Sequence, residues 1–147
     1  QKCNFDNLIF RNATLEDVDK IAKENFVFFY EGDIEGIASG RTYLFGTDNA
    51  VIGKVRLEIT DNIGGIYGLE VLSDYRGKGY GRELLIHSIN KLKESNVEAI
   101  NLQVETNNKN ALNLYKSCGF KENYTMNYYR LKKWRYGRTK LNIKLEQ

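Results

Sequence analysis

Hydrophobic and polar residues alternate along several stretches of the chain with the two-residue period of a β-strand. In the clearest stretch, one face takes Val51, Gly53, Val55, Leu57 and Ile59, and the other takes Lys54, Arg56 and Glu58. Further strands are predicted at Leu8–Phe10, Thr42–Gly46, Ile66–Leu72, Ile100–Val104, Thr125–Leu131 and Leu141–Leu145. Turns are expected at Asp61-Asn62 and at Gly64-Gly65.

Apolar residues at helical spacing predict helices between these strands. The first helix follows Thr14, a good N-cap residue, and Asp17 three positions later completes a capping box. A longer helix is expected from about Gly81 to Ser95, with its inward side formed by Leu84, Leu85, Ile89 and Leu92. Another helix ends at Gly119 as C-cap residue and has one apolar stripe made of Ala111, Leu114, Tyr115 and Cys118.

The order of the elements is β-α-(α)-β-β-β-α-β-α-β-β, which predicts a fold of the α+β (α/β) class with helices packed on a mixed sheet. The bracketed element stands for the segment from Glu31 to Glu35, which is either a short helix or a loop. The length of 147 residues fits a single domain spanning residues 1–147. Because residue 1 is Gln1 and not Met, we expect this domain to be cut from a longer or tandem chain.

The composition is that of an ordinary globular protein, with 41% hydrophobic and 28% charged residues. The chain has no run of 18 apolar residues that could span a membrane. Its two cysteines, Cys3 and Cys118, lie far apart and form neither a disulfide framework nor a Cys-x-x-Cys metal motif. We therefore expect a reducing, cytoplasmic compartment and no metal. The single histidine, His87, is expected to have no chemical role.

The segment Arg76-Gly77-Lys78-Gly79-Tyr80-Gly81 lies between a predicted strand and a predicted helix. A helix N-terminus attracts anions, and glycines allow the backbone to approach a phosphate closely. The spacing matches neither a Walker A loop nor a dinucleotide fingerprint. From the residues alone, a phosphate cradle and a solvated turn both remain possible.

The loop resembles the Arg/Gln-x-x-Gly-x-Gly/Ala motif of the GNAT superfamily of N-acetyltransferases. The segment from Asn108 to Phe120 is similar to a second GNAT pattern, Asn-x-x-Ala-x-x-x-Tyr-x-x-x-Gly-Phe. Within the superfamily, the ribosomal-protein alanine N-acetyltransferase type looks most alike. The resemblance implies a GNAT-like, mostly antiparallel sheet, acetyl-CoA as co-substrate, and acetyl transfer to a primary amine in a ternary complex.

The resemblance also implies roles for individual residues. The strand residues Leu69, Glu70 and Val71 would pair with the pantetheine arm. The pyrophosphate would be bound by Arg76, Gly77, Lys78, Gly79, Tyr80, Gly81 and Arg82, and Asn108 would touch the coenzyme. Tyr115 aligns with the general acid that protonates the coenzyme sulfur, although its position on an apolar stripe also suits a core residue.

The general base is not given by the resemblance. Several relatives carry a Glu where this chain has Gln103, and glutamine cannot accept a proton. Glu70 on the neighbouring strand is the substitute candidate, Glu105 a weaker one, and a water chain without a dedicated base is also possible.

An acidic and aromatic segment precedes the second strand, in a region that commonly covers the acceptor site in GNAT proteins. Its residues are Phe28, Phe29, Tyr30, Glu31, Asp33 and Glu35. Such a rim suits a cationic amine, either a small molecule or a peptide, with Glu31, Asp33 and Glu35 as substrate-binding candidates. A solvated loop over core aromatics would leave the same pattern.

Two other functions fit parts of the sequence. Gln103 suits a GNAT-fold sensor or structural domain that binds acetyl-CoA without turnover. The stretch from Arg130 to Lys144 inclusive has seven basic residues and no acid, and with Trp134 and Tyr136 these residues suit nucleic-acid binding. A solvated basic face explains that stretch more simply, so we expect an amine as partner, no nucleic acid or membrane, and a monomer or homodimer.

Overall fold

The computed structural model describes residues 5–22, 28–105, 107–122 and 140–146. Their strands are β1 (Ile9–Asn12), β2 (Thr42–Gly46), β3 (Val51–Thr60), β4 (Ile63–Val71), β5 (Ala99–Glu105), β6 (Lys121–Glu122) and β7 (Lys140–Glu146). Their α-helices are α1 (Leu15–Ala22), α2 (Glu31–Ala38), α3 (Tyr80–Lys93) and α4 (Lys109–Ser117). A short 3-10 turn, Ser73–Tyr75, lies between β4 and α3.

The strands form one mixed sheet in the order β1-β2-β3-β4-β5-β7-β6. β4 and β5 are parallel, whereas the β1–β2, β2–β3, β5–β7 and β6–β7 pairs are antiparallel. The predicted class, a mostly antiparallel mixed sheet flanked by helices, is confirmed. The predicted strand Thr125–Leu131, Cys3 and most of the basic stretch lie outside the described residues.

The turn expected at Gly64-Gly65 is wrong, because both glycines lie inside β4. The chain turns at Asp61 and Asn62, whose φ angles of 51° and 65° are those of a tight hairpin turn. A Cβ atom at Gly64 would lie 3.2 Å from the side chain of Leu92. Gly64 therefore provides room for side-chain packing within the strand, a use that turn statistics do not reveal.

The described residues form two compact units, and β4 contributes to both. The first unit lies within residues 1–58 and 67–91, and the second within 59–66 and 92–147. In the first unit, α3 packs on the sheet face that holds Phe45 and Gly53, with His87 against Phe45 and Leu84 against Gly53. α2 covers the opposite face. The leucines predicted to point inward from α3, Leu84, Leu85 and Leu92, are buried, as is Ile89.

The second unit is built around β5, with β7 on one side and the start of β4 on the other. The β4–β5 ladder joins Ile63–Ile66 to Ala99–Leu102. Ile100, Ile143 and Phe120 are buried in this unit. α4 ends as expected, because Gly119 follows the C-cap residue with a left-handed φ of 100° that glycine adopts without strain.

The predicted capping box at the start of α1 is present. The backbone N–H of Thr14 donates to Asp17 Oδ2 over 2.8 Å, and that of Asp17 donates to Thr14 Oγ1 over 3.3 Å. Both Arg11 Nη atoms lie 2.9 Å from the Asp17 carboxylate. These hydrogen bonds, with the Arg11 bond foremost, lower the pKa of Asp17 to about 2.

We expect Asp17→Ala to lower the free energy of unfolding by about 1 kcal/mol at neutral pH, because the cap and the Arg11 bond are lost. A carboxyl with a depressed folded-state pKa stabilises the fold fully above its unfolded pKa of 3.8. The difference from wild type should therefore shrink as the pH falls from 3.8 towards about 2. Urea unfolding across this range measures it. Asp19→Ala, an exposed acid of the same helix, is the control, and an equal loss there would contradict the assignment.

Candidate active site

The loop between β4 and α3 has the geometry of an anion cradle. Gly77 and Gly79 adopt left-handed φ angles of 76° and 92°, which L side chains rarely tolerate. α3 begins at Tyr80, directly after them, so the unsatisfied N–H groups of its first turn open towards this loop. Arg76, Lys78 and Arg82 are exposed around it. Backbone donors, helix dipole and cations thus meet in one segment.

Side chains hold the loop in place from both ends. Arg76 Nε donates to the carbonyl of Val71 over 2.8 Å, so this arginine ties the start of the loop back to β4. At the helix end, the ring of Tyr80 packs edge-on against Tyr75 and against Phe5. Arg76 and Tyr80 therefore have a structural role in holding the loop, besides any contact with a ligand. The motif alone did not indicate this structural role.

The strand expected to pair with an extended ligand leads into this loop. β4 continues beyond its ladder with β5 as Tyr67–Val71. Val71 is buried, and Leu69 and Glu70 are half-buried. Gly68, just before them, has a left-handed φ of 58° within the strand, the conformation of the glycine in a G1 bulge. The direction of the peptide groups that follow depends on this residue.

Glu70, the candidate base, lies between two cations. Its Oε1 is 3.9 Å from Lys54 Nζ, and its Oε2 is 3.5 Å from Arg76 Nη2. Both contacts are within the first unit, and the side chain keeps 29% of its exposure. The carboxylate is thus oriented by the site and still accessible to solvent.

The proposed acidic rim is divided by the fold of α2. Glu31 and Glu35 are exposed, and Tyr30 beside them is 54% exposed. Asp33 is only 1% exposed, so placing it at a solvent-facing rim was wrong. Its Oδ2 accepts the backbone N–H of Tyr30 at 3.0 Å and lies 2.7 Å from Lys54 Nζ.

Lys54 is a site residue that the sequence pattern did not reveal. The alternation of β3 placed it with Arg56 and Glu58 on the polar face, yet its exposure is 0%. The sequence feature that could have indicated the burial of Lys54 lies in α2, where Gly32 and Gly36 are four residues apart. A Cβ at either position would collide with Arg56 or Thr42, so these glycines let α2 approach the strand closely.

The second unit holds Tyr115 on α4. Tyr115 is 7% exposed, and its ring packs edge-on against Phe120 at 6.2 Å between centroids. Burial raises the pKa of its hydroxyl above the ordinary value of 10.0. The hydroxyl is therefore protonated at neutral pH and able to donate.

The other motif residues of this unit have visible structural parts. Asn108 is the N-cap of α4, and its side chain accepts the backbone N–H of Ala111 at 3.2 Å. Gln103 is exposed on β5, where it pairs with Asn142 of β7, and Glu105 pairs with Lys140. Their roles towards a ligand stay predictions.

Within residues 5–22, 28–105, 107–122 and 140–146, no group of three His, Cys, Asp or Glu side chains is arranged to hold a metal ion. No helix in that same part of the chain has the length and apolar character needed to cross a bilayer.

Comparison with known proteins agrees with the resemblance seen in the sequence. Residues 10–120 match the model of the family described as Acetyltransferase (GNAT) family. An N-alpha-acetyltransferase of Sulfurisphaera tokodaii is 31% identical over 139 residues, covering 81% of this chain and 83% of that protein.

Solved structures share the fold over nearly the whole chain. Arabidopsis thaliana Naa50 in complex with the bisubstrate analogue CoA-Ac-MVNAL gives a TM-score of 0.71 at 25% identity, covering 96% of this chain and 99% of that one. The ribosomal-protein-S18-alanine N-acetyltransferase from Escherichia coli gives 0.70 at 22% identity, covering 95% and 93%.

Gly77 offers a clean test of the cradle, because a Cβ added there would meet nothing within 4 Å. Alanine tolerates the left-handed φ of Gly77 poorly, so Gly77→Ala should change the direction of the backbone N–H groups in the loop. We expect coenzyme A binding to weaken roughly tenfold or more, since one lost charge-assisted hydrogen bond is worth about 1.5–3 kcal/mol. Calorimetric titration measures the affinity, and urea unfolding measures the stability lost to backbone strain at residue 77.

Gly40→Ala is the matched control, because Gly40 has nearly the same φ, 71°, in the turn after α2. Both variants should lose similar stability, and only Gly77→Ala should lose affinity. Equal affinity in the two variants would mean that the loop does not bind the phosphates.

Proposed function

Since the chain belongs to the GNAT family and is an N-acetyltransferase that uses acetyl-CoA, we propose that its acceptor is the α-amino group at the N-terminus of a peptide or protein. The observation that carries this proposal is the 31% identity with an N-alpha-acetyltransferase over 81% of the chain. The Arabidopsis structure, solved with an analogue that joins CoA to a peptide, supports it.

The exposed end of α2 supports a cationic acceptor. Glu31 and Glu35 are exposed on α2, and Tyr30, the residue just before this helix, is also exposed. Amines are mostly protonated at neutral pH, so carboxylates near an entrance raise their local concentration. An aromatic face beside the acids adds a cation–π contact. The rim in this proposal consists of Tyr30, Glu31 and Glu35, without the buried Asp33.

The coenzyme would be bound by the loop and strand of the first unit. The N–H groups of Gly77 to Arg82 would face the pyrophosphate, and the backbone of Leu69 to Val71 would pair with the pantetheine amides. Lys78 and Arg82 add positive charge to the phosphate side. Asn108 would touch the coenzyme while keeping its capping bond.

Acetyl transfer would proceed by direct attack in the ternary complex. The neutral amine attacks the thioester carbonyl carbon, and the tetrahedral oxyanion collapses with cleavage of the C–S bond. The nitrogen loses one proton and the thiolate sulfur gains one. In this proposal Glu70 receives the proton from the amine, directly or through water, and Tyr115 supplies the proton to sulfur.

Variants of the two proton carriers test this assignment. We expect Tyr115→Phe to lower kcat by about 10²–10⁴ and leave the Kd for acetyl-CoA unchanged, because a general acid acts in the transition state. The raised pKa of Tyr115 keeps it an acid up to and beyond pH 10.0, so the variant should also change the alkaline side of the kcat profile. Glu70→Gln should lower kcat/KM by about 10²–10⁴, because an amide cannot accept the proton of the amine.

The outcome that contradicts each role is distinct. If Tyr115→Phe loses stability or acetyl-CoA affinity and its residual kcat is normal, Tyr115 is a core residue only. If Glu70→Gln keeps the kcat/KM of wild type, a water chain removes the proton from the amine and Glu70 only orients Lys54 and Arg76.

The acceptor is tested by thiol release with peptides that carry a free N-terminus. We expect turnover with these peptides, and none with the same peptides after N-acetylation, even when they contain lysine side chains. Glu31→Gln with Glu35→Gln should raise KM for the peptide about fivefold with unchanged kcat, as two exposed charges of modest energy would. Preferred turnover of polyamines or lysine side chains would overturn the proposed acceptor class.

A further inference from the structure

Lys54 is a buried lysine that the coenzyme and acceptor contacts do not use directly. Its exposure is 0%, and lysine is almost never fully buried without partners. Removing an ammonium group from water is costly, so a chain keeps one inside when its hydrogen bonds are made by fixed groups. Its partners therefore indicate what it does.

The ammonium group of Lys54 is surrounded by groups from α2, from the residues just before α2 and from β4. It donates to Asp33 Oδ2 over 2.7 Å and to the carbonyl oxygen of Gly68 over 2.9 Å. The rings of Tyr30 and Phe28 lie 4.9 Å and 5.7 Å from it, so their faces add cation–π contacts. These rigid partners fix where the ammonium hydrogens point.

The bond to Gly68 sets the orientation of one particular peptide group. A peptide unit is planar and trans, so the carbonyl of Gly68 and the N–H of Leu69 lie in one plane and point in opposite directions. Gly68 is left-handed within β4, and glycine at such a φ could rotate to other conformations. The hydrogen bond from the Lys54 ammonium holds the carbonyl in this orientation, and with it the N–H of Leu69.

We propose that Lys54 is a positioning residue for acetyl-CoA: by holding the Gly68 carbonyl, it aims the Leu69 N–H at the pantetheine arm. The same ammonium is held by Asp33, which lies on α2 two residues after the exposed Glu31 of the acceptor rim. Lys54 thereby couples the coenzyme strand to the helix that carries the rim. This inference rests on the proposed contact of Leu69–Val71 with pantetheine.

Two variants and their combination separate positioning from packing. Lys54→Met keeps the length of the side chain but removes the donor, and leaves the buried Asp33 with only the longer contact to Arg56 Nη1, 3.5 Å from its Oδ1. Asp33→Asn keeps the bond from Lys54 to Gly68. In Lys54→Met with Asp33→Asn, no buried charge of the pair remains, so this double variant should be more stable than Lys54→Met alone.

The measurements are urea unfolding and calorimetric titration with acetyl-CoA. We expect both variants that lack Lys54 to bind acetyl-CoA about tenfold more weakly, the effect of roughly one hydrogen bond, and Asp33→Asn to stay closer to wild type. Affinity should therefore depend on Lys54, whereas stability should depend on the balance of charge. The exposed Lys93→Met controls for the loss of one positive charge.

A second ligand shows which part of the coenzyme loses affinity in the variants that lack Lys54. The nucleotide half, 3′-phospho-ADP, lacks the pantetheine arm and should bind wild type and the double variant equally. Full acetyl-CoA affinity in the double variant would overturn the inference, and so would an equal loss for 3′-phospho-ADP. Because these are binding measurements, they hold even if the peptide acceptor proves wrong, and failure of peptide acetylation alone would overturn only the proposed function.

Discussion

The buried ion pair between Lys54 and Asp33 joins α2 to β3, and the hydrogen bond from Lys54 to Gly68 extends this link to β4. Burial of two charges is stabilising only when each is fully compensated, and here the distance of 2.7 Å, the Gly68 carbonyl and the aromatic faces provide that compensation. Removing one partner of such a pair costs about 3–5 kcal/mol, yet replacing both by apolar residues is often neutral. The pair is therefore explained better by the geometry it imposes on α2, β3 and β4 than by the stability it adds.

The sequence predicted the elements whose cause is local. The capping box at Thr14 and Asp17, the inward leucines of α3 and the end of α4 at Gly119 each follow from residues within one or two turns, and the structure has all of them. The wrong turn at Gly64-Gly65 and the missed burial of Lys54 have a non-local cause. Gly64 packs against Leu92, and Lys54 pairs with a carboxylate 21 positions earlier in the chain. A periodic pattern gives the face of a residue but not what covers that face.

The candidate site shows the same division between local and non-local causes. The glycines of the loop were predicted from spacing, and the left-handed φ angles of Gly77 and Gly79 agree with a cradle. The other motif residues also have structural parts: Asn108 caps α4, Arg76 ties the loop to Val71, and Tyr115 packs on Phe120. A motif residue can therefore serve the fold, the ligand or both, and the identity of the residue alone does not show which. The division of the acidic segment into exposed Glu31 and buried Asp33 required the structure for the same reason.

The burial of Tyr115 limits the conditions under which it can act as the proposed general acid. A tyrosine whose pKa exceeds 10.0 is a weaker acid than an ordinary thiol, with a pKa of about 8.5, so full proton transfer to a thiolate in water would be unfavourable. The comparison changes when the thiolate also forms away from water, because desolvation raises the pKa of a thiol as it does that of a phenol. Tyr115 can then donate a strong hydrogen bond to the sulfur as the C–S bond breaks, with proton transfer following as the charge develops. An acid of this kind would act only on a leaving group that water does not reach, so the proposed role of Tyr115 requires the thiolate to form out of contact with water.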